Sequence, residues 1–293
     1  MRERPSLHAL AVYLAVVEHG TMTAAAEAEG ISQPAISAHV KALERFFGTP
    51  LMARSGRKVM PTSAGDIVAD YSRRILGMVD DLSRSIADLE SLQSGQLVIG
   101  ASSTVGEQLL PEVLGIFRRL YPGIDLALSI GNSGEIIQAV RDRTFDLGFV
   151  GRIEDDPELV ARPVFDDHLE IFAAPDSPYL HQQGLRVSDL DCDTFVFRES
   201  GSATRDLALQ CLAARGCQPA HAIELGSNEA VKRAVGVGLG VGVLSTHTIA
   251  VEKRAGVIGV IQCLDWDCRR NFWLIHRRDR LLTRAERAFL QLL

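Results

Sequence analysis

The 293-residue sequence contains no apolar stretch near the roughly 20 residues that a bilayer-spanning helix needs, and its amino terminus lacks the apolar core of a secretory signal. These absences predict a cytoplasmic protein without a membrane partner. Cysteine is scarce: Cys192, Cys211, Cys217, Cys263 and Cys268 form no C-x-x-C pair. An odd number without metal-ligand spacing predicts reduced, mostly packed thiols, with a metal site or redox switch as the alternative. His168, His181, His221, His247 and His276 are scattered, and neither G-x-S-x-G nor H-E-x-x-H occurs. The glycines of VGVGLGVGV (Gly236, Gly238, Gly240, Gly242) miss the dinucleotide spacing and read as a helix end, a turn and a buried strand. The acids of EDDPE, Glu154 to Glu158, read as a solvated loop. Nothing here argues for catalysis, a metal or a cofactor.

What is present begins at Gly20. GTMTAAAEAEGISQPAISAHVKALERFFG reads as two short helices joined by a tight turn. Thr21 can cap the first, whose Ala24, Ala25 and Ala26 let another helix approach closely, and Gly30 supplies the turn. Ser32 can cap the second, with Pro34 in its first turn, where a missing N–H costs little. Ile36, Val40 and Leu43 recur at helical spacing and predict a core face, turning Gln33, Pro34, Ser37, Ala38 and Lys41 outward. Any helical hairpin would share these features. The next segment, LMARSGRKVMPTSAG, adds a short hairpin wing carrying Arg54, Arg57 and Lys58. Between Ser32 and Thr62 five basic residues meet one acid, Glu44, in a chain whose net charge is −6. Local basicity inside an acidic protein marks a surface for phosphates, because each contact releases condensed counterions.

The run from Leu7 to Gly65, especially AAAEAEGISQPAISAHVKALE, LMAR and TSAG, resembles the winged amino-terminal domain of the LysR-type transcriptional regulators. The resemblance implies a second helix lying in the major groove of double-stranded operator DNA, with the wing on the flanking backbone. It places Thr23, Ser32, Gln33, Pro34, Ser37, His39 and Lys41 at the DNA, with Arg54, Arg57 and Lys58 on the wing side. Gln suits bidentate reading of adenine; Ser and Lys suit phosphates and acceptor edges. The sequence departs from the family at Ala38 and His39, where a basic residue often follows the second Ser.

From residue 63 to 93 one long helix is predicted. Val68, Tyr71, Ile75, Val79, Leu82, Ile86 and Leu89 form a heptad seam that reads as a dimerisation linker, an internal core helix being the alternative. A composition break at LQSGQ opens a third region, residues 94–293, in which 26 acids outnumber 21 bases. LVIGAS, DLALSIG and FDLGFVG alternate with helical stretches, the α/β pattern of a parallel, doubly wound sheet. A second set follows a link near Val160 to Asp166, and NFWLIH with the final helix returns to the first. The expected fold is therefore α/β: a winged helix-turn-helix over 1–62, a linker helix, and a two-lobed domain. Lobe I spans about 94–163 and 267–293, and lobe II about 164–266. This resembles the periplasmic-binding-protein-like effector domain of the same family, with a ligand between lobes at the carboxyl ends of strands.

Candidate effector contacts are Ser102, Ser103 and Thr104, then Gly131 and Asn132, then Val150 and Gly151, and from lobe II Glu199, Ser200, Ser202, Thr204 and Arg205, the last as a fixed positive charge. Each Ser or Thr is also an ordinary helix cap. ASSTVGEQLLP and ESGSATR resemble the subgroup controlling carbon-fixation or sulfur-assimilation operons, favouring a small anionic metabolite. The resemblance further implies a homodimer or homotetramer, an activator, and RNA polymerase as partner. Alone, the third region would also pass for the solute-binding protein of a transport system.

Overall fold

The computed structural model describes residues 4–55, 58–87, 95–153, 155–191 and 193–293. Glu154, Cys192, Arg57, the Arg54 side chain, the end of the linker with Leu89, and most of LQSGQ lie outside the described parts. The chain divides into two compact units, Met1–Glu90 and Ser91–Leu293.

The first unit opens with α1 (Leu7–His19), α2 (Met22–Glu29) and α3 (Gln33–Phe47). Thr21 Oγ1 accepts from the Ala24 amide at 3.1 Å and Ser32 Oγ from Ala35 at 3.4 Å, satisfying amide donors that the first turns of α2 and α3 leave over. Gly30 takes φ +64°, the left-handed turn conformation between them. Ile36, Val40 and Leu43 are buried against α1, where Tyr13 is fully enclosed and donates to the Leu51 carbonyl at 3.2 Å. Strands β1 (Met52–Ser55) and β2 (Lys58–Pro61) pair antiparallel as the expected wing, and Thr62 caps α4 (Ser63–Ala87) by accepting from the Gly65 amide. Val68 departs from the expected seam: with Ala69 and Ser72 it faces the core of its own unit, because the first turns of α4 pack on α1. Ile67, Tyr71, Ile75, Met78, Leu82 and Ile86 remain exposed in steps of three and four.

The second unit starts with β3 (Gly95–Ser102), a π turn, α5 (Leu110–Leu120), β4 (Ile124–Gly131), α6 (Ser133–Arg141) and β5 (Leu147–Val150). β3 pairs parallel to both β4 and β5, as the alternation implied. The link expected near Val160 to Asp166 is instead the first half of one long strand, β6 (Leu159–Ala173). There follow β7 (Thr194–Arg198), α7 (Ala203–Ala213), β8 (His221–Leu225), α8 (Asn228–Gly236), β9 (Val241–Ser245) and α9 (Thr246–Ala255). The chain closes with β10 (Gly259–Val260), β11 (Arg269–Arg277) and α10 (Arg284–Leu290). The sheet runs β4-β3-β5-β11-β6-β9-β7-β8, with β10 on β6. It is mixed rather than all parallel, since β11 lies antiparallel to β5 and β6. β6 belongs to both lobes: residues 159–168 pair with β11 and Leu169–Phe172 with β9. The expectation of uniformly unpaired cysteines is corrected. Cys211 on α7 is joined to Cys268, with Cα atoms 6.0 Å apart, within disulfide reach, because α7 packs beside the entry to β11. Cys217 and Cys263 remain free thiols. Burial pushes both up to about 11, with nearby aspartates adding to it.

Candidate functional site

Two surfaces carry the sequence's candidate residues. On α3 the positions opposite Ile36, Val40 and Leu43 stay in solvent: Gln33, Pro34, Ala38 and Lys41 are exposed, Ser37 half-buried, and Ser32 exposed at the cap. Thr23 is exposed on α2 and Lys58 on β2, while the backbone of Arg54 pairs with Val59 across the wing. His39 sits apart from this set. It lies on the flank of α3 next to α1, its ring edge-on to His8 with centroids 4.9 Å apart.

The second surface lies where the lobes meet. Ser102, Ser103, Thr104, Asn132 and Gly151 come from the first lobe, and Ser202 and Thr204 from the second, lining one cavity together with Ser133, Arg198, Ala203, Arg270 and Phe272. The sequence reading missed both arginines. Gly131 contributes its carbonyl, which accepts from Ser103 Oγ at 3.4 Å. Val150 does not line the cavity but is buried in an apolar cluster with Ile136, Val140 and Ile275. Arg205 does not line the cavity but is ion-paired to Glu224 at 2.7 Å, and Ser200 donates its amide to the same carboxylate.

The two cationic side chains of the cavity are Arg198 and Arg270, only 5% and 6% exposed. Arg198 Nε and Nη2 donate to Glu199 Oε2 and Oε1 at 2.7 and 2.8 Å, Nη1 donates to Asn228 Oδ1 at 2.5 Å, and Nη2 reaches across the cleft to Ser103 Oγ at 3.3 Å. Burial alone would raise the Glu199 carboxyl, but hydrogen bonds from Arg198 and its own backbone N–H, with the Arg198 and Arg205 charges, hold it below the usual range, so it is an anion. Arg270 Nε donates to Asp167 at 2.7 Å and Nη2 to Thr204 Oγ1 at 3.0 Å, its guanidinium lying 4.6 Å from the Phe272 ring centre. Burial draws Arg270 downward and Asp167 opposes it. A Cβ on Gly151 would stand 3.0 Å from Arg270 Nη1 and 3.1 Å from Ala203 Cβ, so a side chain here would press on both.

Capping and ligand-facing roles separate among the hydroxyls. Asn132 caps α6 in a reciprocal box with Glu135. Ser202 precedes α7 yet makes no side-chain cap bond, and the buried Oγ of Ser102 has no hydrogen-bond partner among the described residues. A buried hydroxyl left without a partner costs about 1–3 kcal/mol, so it marks a place where a polar ligand or water belongs. The lobes are clasped: Arg152 pairs with Asp206, and Thr104 meets Thr248 at 3.5 Å. The cavity holds only about 10 Å³, room for about one water. A roomier hollow of about 320 Å³ on the first lobe is lined by Ile137, Leu159 and Ile275. It draws on that lobe alone and its lining includes the acids Asp155 and Asp156, with Arg141 held by Asp156 and Arg278 by the Pro157 and Leu159 carbonyls. Among the described residues no cluster of three His, Cys, Asp or Glu could hold a metal, and no helix is long and apolar enough to cross a membrane.

A winged helix-turn-helix ahead of a two-lobed domain with a charged cleft defines a DNA-binding transcription regulator with an effector-binding domain. Residues 7–66 match the bacterial regulatory helix-turn-helix protein, lysR family, and residues 90–293 match the LysR substrate binding domain. The chain belongs to the LysR family of transcriptional regulators, which are not enzymes. It is 32% identical to the HTH-type transcriptional activator CmpR of Synechocystis over 98% of this chain and 94% of that one. It is 34% identical to the RuBisCO operon transcriptional regulator of Allochromatium vinosum, covering 97% and 94%. The regulatory domain of Synechocystis CcmR, solved in complex with 2-PG, superposes with a TM-score of 0.63 at 29% identity, covering 68% of this chain and 95% of that one. The helix-turn-helix match sets aside the transport-component alternative.

Proposed function

We propose that this regulator changes its action at a promoter when a small anionic metabolite enters the cleft between its lobes. One observation carries the reading: two enclosed arginines from different strands converge on one cavity with Ser202, whose side chain makes no cap bond, and with the Ser102 hydroxyl, which has no hydrogen-bond partner among the described residues. An anion there meets fixed N–H donors in a low-dielectric setting, where charge-assisted bonds are strongest. The 2-PG complex of the CcmR domain supports a small molecule in this domain. Because the closed cavity holds about one water, entry requires the Arg152–Asp206 clasp to part, and ligand binding shifts the population of lobe arrangements. The chain acts in the cytoplasm as a homodimer through the exposed α4 seam and further as a homotetramer. Lobe movement resets the spacing of the DNA-reading pairs and their contact with RNA polymerase. Ser32, Gln33, Pro34, Ser37 and Lys41 read the operator, with Thr23, Arg54, Arg57 and Lys58 on its backbone.

The test is operator binding and in vitro transcription across a panel of phosphorylated and carboxylated metabolites. Thr104→Ala removes a buried hydroxyl of the cleft wall and is expected to abolish the effector response while operator affinity stays within about twofold, as sites in separate folding units behave independently. An unchanged response would take Thr104 out of the site.

A further inference from the structure

Arg198, which lines the cleft, already holds an oxyanion, the carboxylate of its neighbour Glu199. Its two oxygens take the Nε and Nη2 protons of Arg198 at 2.7 and 2.8 Å, the two-point geometry in which a guanidinium receives a carboxylate, sulfate or phosphate. Asn228 and Ser103 hold the remaining side of Arg198, so the fork cannot turn to offer a fresh edge. The partners differ in freedom. Arg198 is enclosed and fixed from three directions, whereas the Glu199 side chain is 25% exposed. Beyond its own backbone N–H, the hydrogen bonds that Glu199 accepts among the described residues come from Arg198.

We infer that Glu199 is the effector's internal competitor: an arriving oxyanion takes over the Arg198 fork, and the displaced carboxylate turns to solvent. The inference rests on the cleft being the effector site and narrows the ligand to groups presenting two oxygens on one atom. A monatomic anion such as chloride has no pair of acceptor atoms to match the two parallel N–H groups and competes poorly with the carboxylate. Displacement also has a structural outlet. Glu199 directly precedes the turn into α7, where the Ser200 amide donates to Glu224 and Thr204 meets Arg270, so releasing it loosens the segment that faces the first lobe.

Calorimetric titration of the full-length protein with sodium phosphate, sulfate or acetate, against sodium chloride at matched ionic strength, tests this. If Glu199 occupies the fork most of the time, Glu199→Gln is expected to lower the half-saturating oxyanion concentration about tenfold or more, since apparent affinity scales with the free fraction of the site. Glu199→Asp, whose shorter carboxylate reaches the fork less well, is expected to lower it about threefold on the same relation. Chloride should remain without effect on all three proteins. Oxyanion binding by both variants that equals or falls below the wild type overturns the competitor role while leaving the effector cleft standing. Absence of saturable oxyanion binding in all three proteins overturns both readings. Differences among phosphate, sulfate and acetate then separate tetrahedral from planar effectors.

Discussion

At the scale of single residues, Gln33 and Tyr13 show how differently one helical unit uses a polar side chain. Gln33 stands in solvent at the start of α3, where its amide can offer a donor and an acceptor to one base edge. Gln33→Ala is expected to cost about 1–3 kcal/mol against the preferred operator and to flatten base preference at one position, as measured by fluorescence anisotropy on single-substitution operators. Tyr13 is spent inside the domain. Burial raises its hydroxyl to about 12, with the Asp66 and Glu44 charges adding to the shift. A tyrosine in the unfolded chain ionises near about 10, so the native pKa is the higher one. The stability it confers is complete below the unfolded-state value of about 10 and is lost as pH climbs from there through about 12. Thermal unfolding followed by circular dichroism between pH 9 and about 12 should show this alkaline loss. Tyr13→Phe should remove the alkaline step while costing about 1 kcal/mol at neutral pH through the lost bond to Leu51.

Among the elements, α4 carries an exposed apolar seam. Ile67, Tyr71, Ile75, Met78, Leu82 and Ile86 lie in solvent along a helix whose first turns alone are covered by its own unit. The proposed homodimer would match this seam with the α4 of a second subunit. Leu82→Lys would place two like charges face to face and forfeit two buried leucines per dimer, about 3–6 kcal/mol together. Sedimentation velocity at micromolar protein should then show monomers; an unchanged dimer mass would move the interface elsewhere. The Cys211–Cys268 link acts at the same scale, since it ties α7 to the strand that carries Arg270.

For the whole molecule, charge is divided between regions. The segment from Ser32 to Thr62 is net +4, while residues 94–293 are net −5. This separation concentrates phosphate affinity on the reading unit and repels nucleic acid from the effector domain. If Lys41, Arg54, Arg57 and Lys58 of both subunits engage phosphates, log affinity should fall against log salt with a slope approaching about −7. Arg54→Ala should weaken all duplexes alike and make that slope shallower by about 2 per dimer; a loss confined to one operator would show that Arg54 reads bases.

The reading unit was legible because its determinants are local. The cap at Thr21, the turn at Gly30, the cap at Ser32 and the core triplet Ile36, Val40 and Leu43 lie within one short stretch, and each acts on its immediate neighbours. The lobes were legible as an alternation of strands and helices, but not the long β6 that joins them. Helix α9 also went unread: Thr246, Thr248, Ile249 and Val251 are β-branched and propose no helix, and Ser245 passes directly from strand to cap. In the cleft, sequence determined which segments end at strand tips and so supply Ser102 to Thr104, Asn132, Gly151, Ser202 and Thr204. Only tertiary structure decided the charges. Arg198 reads as the last residue of a buried strand, and Arg270 reaches Thr204 across 66 positions of chain, so no local pattern selects them over Arg205, which Glu224 holds away from the cavity. The same long-range packing decided that Cys211 meets Cys268 and which hydroxyls cap helices and which face the cleft. Capping follows from neighbours along the chain, whereas convergence on a cavity follows from how two lobes close.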